Sequence, residues 1–283
     1  MPDRYAVIGN PIAHSKSPLI HAAFAQQTGQ DIGYEKILAP VDAPDGFSAT
    51  VDRLIAEGYM GANITVPFKF QAFLKAHERS TRAETARAVN TFSFREGKIV
   101  GDNTDGVGLV TDITRNLEFD IAGKRVLLAG AGGAGWGVLL PLIQQNPKVL
   151  VIGGRDIAKA AELSETAKNL LGSVKMAKNN DTVFYARKFS ELVGQKFDLV
   201  INSTSSGLSN VYPDGLPEDV FAEDALAYDM MYGRETPFMQ VAREQGAQVA
   251  DGLGMLVEQA AEAFFIWRGV HPQTAPVIAQ LRG

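Results

Sequence analysis

The stretch Arg125-Val-Leu-Leu-Ala-Gly130-Ala-Gly132-Gly-Ala-Gly135 decides how the chain is read. The apolar run from Val126 to Ala129, entered from the charged Lys124-Arg125, predicts a strand buried on both faces of a parallel sheet. It passes directly into Gly130-x-Gly132-x-x-Gly135, and an apolar helical pattern follows from Ala134 to about Gln145. Lys148-Val-Leu-Val-Ile152 then supplies a second strand and completes a βαβ unit. In that setting Gly130 permits the tight turn, Gly132 allows close approach of a pyrophosphate, and Gly135 allows helix and strand to pack closely. The helix N-terminus offers unpaired N–H groups and a positive dipole end. The expectation is a dinucleotide site of the nicotinamide type, against the plain alternative of a βαβ turn without a ligand.

The rest of the 283 residues is comfortable for two domains. A net charge of −5 disfavours a nucleic acid or an anionic membrane as partner. Cysteine is absent, which excludes disulfides, thiolate catalysis and Cys-ligated metal. Met1-Pro-Asp-Arg-Tyr-Ala-Val-Ile-Gly9 enters a strand at once without a signal-peptide pattern, and Glu258, Gln259 and Glu262 break the last apolar run. A soluble, cytoplasmic protein is expected, monomeric or homodimeric.

Taken in order, Arg4–Gly9, Tyr34–Leu38 and Ala62–Val66 predict strands, and Ser17–Gln27 and Pro44–Glu57 predict helices. Ser17 followed by Pro18 has the form of an N-cap and first helical position. Val89–Phe94 and Lys98–Gly101 form a predicted hairpin, and Asp105 to about Asn116 a helix. Beyond the glycine-rich unit come a helix over Ile157–Leu171 closed by Gly172 and strands at Thr182–Ala186 and Phe197–Ile201. Strands at Ala225–Met230 and Ala247–Ala250 flank a Thr236–Glu244 helix, and a last helix spans Leu253–Trp267. Two α/β domains are expected, hinged near Thr104–Asp105 and Asp251–Gly252.

Residues able to carry chemistry gather in loops at strand ends. Ser15 and Ser17 can together hold one carboxylate or polyol, unless Ser17 only caps its helix. Asn63 and Thr65 alternate with apolar residues on one predicted strand face, and Lys69 follows within a turn. Lys69 is a candidate proton donor or acceptor, or else a solvated surface charge. Asn90 and Asp105 complete the set; Asp105 is either a turn residue or the acid partner of Lys69. Asn202-Ser-Thr-Ser-Ser-Gly207, with Thr204, lies at a strand's carboxyl end, where α/β folds place ligands. His14, His21, His77 and His271 show no metal-ligand spacing, so no metal is expected.

Together these stretches resemble the shikimate dehydrogenase family across essentially the whole chain. The resemblance is carried by Gly9-Asn-Pro-Ile-Ala-His-Ser15-Lys-Ser17-Pro, Asn63-Ile-Thr65-Val-Pro-Phe-Lys69, Ala88-Val-Asn90-Thr and Gly101-Asp-Asn-Thr-Asp105-Gly. It continues through Gly130-Ala-Gly-Gly-Ala134, Asn202-Ser-Thr-Ser-Ser-Gly207 and Gly252-Leu-Gly-Met-Leu-Val-Glu-Gln259. It implies reversible, NADPH-dependent reduction of 3-dehydroshikimate to shikimate in aromatic amino-acid biosynthesis. The implied fold is an N-terminal α/β substrate domain with a mainly parallel sheet, a Rossmann domain, and C-terminal helices returning to the first domain. The boundaries expected are 1–104 with 252–283 for the substrate domain and 105–251 for the Rossmann domain.

By the same resemblance Ser15 and Ser17 bind the substrate carboxylate. Thr65, Lys69, Asn90, Asp105 and Gln259 surround the ring hydroxyls, with Lys69 and Asp105 as the catalytic pair and Tyr232 a further substrate-side residue. Gly130, Ala131, Gly132, Gly133, Ala134 and Thr204 belong to the cofactor site, and Met230 and Gly252 match positions beside the nicotinamide. Where the family typically carries Asn-Arg-Thr to hold the 2′-phosphate of NADP, this chain has Gly154-Arg155-Asp156. Arg155 suits a 2′-phosphate. Asp156 lies at the distance, ~20 residues past the last glycine, at which a carboxylate holds a ribose 2′-hydroxyl; it is equally placed to cap the next helix. NADP is the expected cofactor, with NAD the alternative. The competing readings are an NAD-dependent quinate/shikimate dehydrogenase and a non-catalytic dinucleotide-binding sensor.

Overall fold

The computed structural model describes residues 2–173 and 181–283. The chain divides into two compact units, Met1–Gly108 with Leu256–Gly283, and Leu109–Met255. In the first unit the strands are β1 (Asp3–Gly9), β2 (Ile32–Leu38), β3 (Tyr59–Ile64), β4 (Glu78–Arg79), β5 (Thr91–Arg95) and β6 (Lys98–Asp102). Its helices are α1 (Ser17–Thr28), α2 (Gly46–Ala56), α3 (Lys69–Lys75) and α4 (Thr81–Ala86), and α5 (Asp105–Thr111) begins there. The second unit holds β7 (Arg125–Ala129), α6 (Gly133–Ile143), β8 (Val149–Gly154), α7 (Ile157–Ser173), β9 (Val183–Lys188) and β10 (Phe197–Asn202). It continues with β11 (Phe221–Asp229), α8 (Pro237–Glu244) and β12 (Gln248–Ala250); α9 (Leu253–Arg268) then leads to α10 (Ala275–Arg282) in the first unit.

The first sheet has the order β2-β1-β3-β5-β6-β4. Its β2-β1-β3 part is parallel, the β5-β6 hairpin joins β3 antiparallel, and β4 pairs parallel with β6. Strand alternation directs side chains to two cores. Ala6 and Ile8 of β1 pack with Phe47, Val51 and Leu54 of α2, whereas Tyr5 stacks on Trp267 of α9 with ring centroids 4.5 Å apart. Ile20 and Phe24 of α1 meet Val257, Ala260 and Phe264 of α9 in a separate cluster.

The second sheet, β12-β11-β10-β7-β8-β9, is parallel throughout. Read from β9 it is the doubly wound order 3-2-1-4-5-6 of dinucleotide-binding domains. The run Val126–Ala129 is buried on both faces, as a central parallel strand must be: Val126 and Leu128 enter one core, Leu127 and Ala129 the other.

Several expectations shift. β3 ends at Ile64, and the Thr65 carbonyl accepts the Phe68 N–H at 3.0 Å, closing the turn into α3. Lys16, not Ser17, occupies the N-cap position of α1, and the Ser17 N–H is taken by Ser15 Oγ at 3.3 Å. α7 runs through Gly172 to Ser173. The Asp105–Asn116 helix is α-helical only to Thr111 and then becomes a π-helical turn over Asp112–Asn116. The short β4, α4 and α10 carry too few turns or alternations to show a period in the sequence.

The division between the units falls inside α5 and α9, at 108/109 and 255/256, whereas loop composition points to 104/105 and 251/252. Side-chain partners account for this. Asp105 is bound to Lys69 and Asn90 of the first unit, while Met255 is buried in the core of the second.

Candidate active site

In the first unit, Lys69 opens α3 and Asp105 opens α5, each one short turn beyond a strand end. Lys69 Nζ lies 2.7 Å from Asp105 Oδ2. Asn90, just before β5, donates through Nδ2 to Asp105 Oδ1 and Thr104 Oγ1, both at 2.9 Å, and to Gln259 Oε1 of α9 at 3.3 Å. Its Oδ1 accepts the Thr104 N–H and the Thr91 hydroxyl, so the carboxamide has one orientation. Asn103 Oδ1 accepts the Asp105 N–H at 3.1 Å and fixes the start of α5.

The network continues away from the ion pair. Asn63 Nδ2 donates to the Asn90 carbonyl at 3.3 Å and to Thr91 Oγ1 at 3.1 Å, leaving Asn63 Oδ1 to accept the Tyr34 hydroxyl at 2.7 Å. Burial raises the pKa of Tyr34 well above the ordinary phenol value, opposed by a hydrogen bond to Ser17. Ser17 Oγ in turn accepts from Ser15 Oγ at 3.2 Å. Hydrogen bonds therefore run from Tyr34 through Asn63, Thr91 and Asn90 to Asp105 and Lys69, and Ser15 and Ser17 form a pair of their own near Tyr34. Gly9 makes room beside them, since a Cβ there would lie 2.5 Å from Thr65 Cγ2.

Tyr34 is absent from the candidates named above. Its signal in the sequence is faint: one tyrosine in a strand, with nothing local to mark the serine across from it. Asn63 was marked by its alternation with apolar neighbours, but not as the member that joins the two ends.

In the second unit, β7 ends in Gly130 at φ +118°, a conformation that favours glycine. A Cβ there would stand 2.6 Å from Ser203 Oγ, and one at Gly135 would stand 2.6 Å from the Gly130 carbonyl oxygen. Gly132 and Gly133, at the N-terminus of α6, face open space within 4 Å of a Cβ position. They adjoin a cavity of about 700 Å³ whose lining includes Gly130–Ala134, Gly154, Arg155, Asp156 and Thr204. Open glycines, first-turn N–H groups and the adjoining cavity fit the pyrophosphate and adenosine of a dinucleotide.

Asp156 Oδ1 accepts the N–H groups of Ala158 at 3.0 Å and Lys159 at 3.4 Å, which makes it the cap of α7. Thr204 is tied to Asn202 Oδ1 at 2.7 Å, and Asn202 Nδ2 reaches the buried Asp229 at 3.2 Å. Asp229 also accepts from Thr236 at 2.5 Å and from the Met231 N–H at 3.0 Å, and burial raises its pKa. Met231, not Met230, lines the cavity. Met230 and Gly252 lie against each other: Gly252 donates its N–H to the Met231 carbonyl at 2.8 Å, and a Cβ on it would meet the Met230 oxygen at 2.3 Å. Tyr232 lies on the segment after β11, in the second unit. Among the described residues no cluster of three or more His, Asp or Glu is arranged to hold a metal ion, and no helix is long and apolar enough to cross a membrane.

A doubly wound dinucleotide domain in one chain with an α/β domain that carries a lysine–aspartate pair defines a class of two-domain dehydrogenase. Comparison with known proteins narrows it. A family model described as the shikimate dehydrogenase substrate binding domain matches residues 7–92, and one described as the shikimate 5'-dehydrogenase C-terminal domain matches residues 252–282. The shikimate dehydrogenase (NADP(+)) of Methylobacillus flagellatus is 59% identical over 281 residues, covering 99% of both chains. Among solved structures, an Ael1 enzyme from Pseudomonas putida is similar at TM-score 0.88 and 48% identity, covering 99% of this chain and 98% of that one. Shikimate 5-dehydrogenase from Thermus thermophilus, in complex with NADP(H) and shikimate, follows at TM-score 0.82 and 29% identity, covering 99% and 98%. The chain belongs to the shikimate dehydrogenase family.

Proposed function

We propose that this chain is an NADP-dependent shikimate dehydrogenase, catalysing reversible reduction of 3-dehydroshikimate to shikimate in aromatic amino-acid biosynthesis. The observation that carries this reading is the 2.7 Å Lys69–Asp105 pair, hydrogen-bonded through Asn90 and Asn63 to Tyr34, in a chain 59% identical to a shikimate dehydrogenase (NADP(+)). In this reading Ser15 and Ser17 hold the substrate carboxylate by hydroxyl donation. Thr65, Asn90 and Gln259 take the ring hydroxyls, and Tyr232 is a further substrate-side residue.

Bound NADPH supplies the hydride to the carbonyl carbon. The chain's own task is the proton: Lys69 donates one from its ammonium group to the nascent alkoxide oxygen, and Asp105 holds the lysine in place. In the oxidising direction the same pair receives the hydroxyl proton. The unit of residues 1–108 with 256–283 binds substrate, and that of 109–255 binds the cofactor, with Gly130–Ala134 at the pyrophosphate and Gly154, Arg155 and Asp156 around the adenosine. Met230, Gly252 and Thr204 complete that site. A cytoplasmic location and a monomer or homodimer belong to the same reading.

The capping role of Asp156 favours NADP over NAD, because both hydrogen bonds from α7 converge on one of its oxygens and turn the carboxylate toward its own helix. A non-catalytic sensor would have no use for the Lys69–Asp105 pair. The test is a two-by-two assay of purified protein, shikimate or quinate with NADP⁺ or NAD⁺. Turnover is expected to be greatest with shikimate and NADP⁺; no turnover with any combination, from folded protein, would overturn the reading.

A further inference from the structure

The cavity beside Gly130–Ala134 has four charged residues in its lining: Arg155, Asp156, Lys159 and Asp214. Two positive and two negative charges cancel, which is an unexpected balance for a site meant to attract a phosphate dianion. The negative pair is not equivalent. Asp156 is committed to the α7 N–H groups, and its Oδ2 lies 4.0 Å from Lys159 Nζ. Asp214 has no such duty. It arrives from a segment 59 residues further along the chain, and its Oδ2 lies 3.5 Å from Arg155 Nη1.

The turn that carries Asp214 is built to hold it there. Pro213 accepts the Leu216 N–H at 3.1 Å across Asp214 and Gly215, and Gly215 has φ +81°. This matches a turn with glycine at its third position. Both sides of the turn are anchored. Leu216 is buried in the core on one face of the second sheet, and Tyr212 stacks on Phe238 while its hydroxyl donates to the Pro217 carbonyl at 3.2 Å. The carboxylate is thus presented to Arg155 by a fixed turn. The ion pair itself is solvent-exposed at 75% and 80% of the two side chains. Such a pair holds Arg155 only weakly, so a phosphate can take the guanidinium, while the carboxylate stays nearby as a like charge.

We propose that Asp214 is a specificity-determining residue for the cofactor, one that weakens binding of a 2′-phosphorylated adenosine and leaves the 2′-hydroxyl form nearly untouched. The proposal rests on the reading that Arg155 receives the 2′-phosphate. It accounts for how a chain with Gly154 and Asp156, not Asn and Thr, on either side of Arg155 sets its margin between the two dinucleotides: by a carboxylate outside the glycine-rich unit altogether.

The experiment is calorimetric titration of the full-length protein and Asp214→Asn with NADP⁺ and with NAD⁺, at low and at high salt. Asparagine keeps the turn and removes the charge. The Kd for NADP⁺ is expected to fall about three- to tenfold at low salt and by less at high salt, with the Kd for NAD⁺ changed less than about twofold. An unchanged or weaker affinity for NADP⁺, or an equal shift for both dinucleotides, overturns the proposal. Arg155→Ala separates the two readings. If that variant binds NADP⁺ as tightly as the parent protein, the assignment of the 2′-phosphate to Arg155 is wrong whatever Asp214→Asn does.

Discussion

Asn90 donates its Nδ2–H to Asp105 Oδ1 at 2.9 Å, leaving Oδ2 to Lys69 at 2.7 Å. The carboxylate is therefore gripped on both oxygens and cannot rotate away from the lysine. The side chain holding it is in turn oriented by Thr104, Thr91 and Gln259. Lys69→Ala should lower kcat by ~10²–10⁴-fold with KM for shikimate little changed, as for loss of a general acid–base group. Asn90→Ala should cost less, because the ion pair remains. Steady-state kinetics on the two variants checks the order; a Lys69→Ala enzyme with most of its kcat would remove that residue from proton transfer.

Ser15 and Ser17 should act on affinity. Hydrogen bonds to a charged group are worth roughly 1.5–3 kcal/mol, so each serine-to-alanine change should raise KM for shikimate by about ten- to a hundredfold. The Kd for NADP⁺ should stay put. Tyr34→Phe removes the donor to Asn63 while keeping the ring, and should produce a smaller rise of the same kind. Equal losses in substrate and cofactor binding would count against this assignment.

Asp156 and Arg155 should separate cleanly. Asp156→Ala removes the cap of α7 and should cost about 1 kcal/mol of stability, read by denaturant unfolding, while Asp156→Thr retains a capping oxygen and most of that stability. Arg155→Ala should leave stability unchanged within ~0.5 kcal/mol and weaken NADP⁺ selectively. If Asp156→Thr instead reversed a preference for NAD⁺, the carboxylate would be reading a ribose hydroxyl and not serving its helix.

His21 gives the protein an acid limit. The imidazole is fully buried, stacked on Tyr34 with ring centroids 4.2 Å apart, and burial lowers its pKa from 6.5 to about 3. Between those values the unfolded chain binds a proton that the folded chain refuses. Stability from this group is therefore complete above about pH 6.5 and is lost as the pH falls toward 3, with a slope of at most about 1.4 kcal/mol per pH unit. Unfolding free energies measured from pH 7 to 4 should show a shallower decline for His21→Phe than for the parent protein. Parallel curves would mean the histidine is not the source.

Gly254 should tolerate no side chain. A Cβ there would come within 1.9 Å of Asp112 Oδ1, whose partner oxygen accepts the Tyr228 hydroxyl at 2.6 Å in the buried interior. Gly254→Ala should lower stability by about 1–3 kcal/mol through overpacking, visible as a drop in melting temperature.

Much of this architecture was readable from residues alone. The glycine spacing after a four-residue apolar run located the dinucleotide domain, because a strand buried on both faces and a turn needing positive φ leave a strong local mark. Ser15, Ser17, Lys69, Asn90 and Asp105 were readable as polar residues at strand ends. What was hidden is what depends on distant partners. Nothing near Tyr34 shows that Asn63 and Ser17 sit on either side of it, and nothing near Arg155 announces Asp214. The end of β3 at Ile64 was misjudged because Thr65 and Val66 have strand propensity, and the turn closed by Phe68 overrides it. Likewise Ser17-Pro18 has the composition of a cap, yet the helix takes Lys16 for that position.

Trp267 against Tyr5, and Arg268 bonded to Asp3, tie the last long helix to the first strand. In the chain these partners are separated by the whole of Leu109–Met255. The first unit leaves the ribosome with Ile20 and Phe24 facing no partner helix, and must wait while all of Leu109–Met255 is translated. The second unit, continuous in the chain, has every strand of its sheet available before α9 emerges. The strands of the second unit are thus all present in the chain before the first unit has received its last two helices.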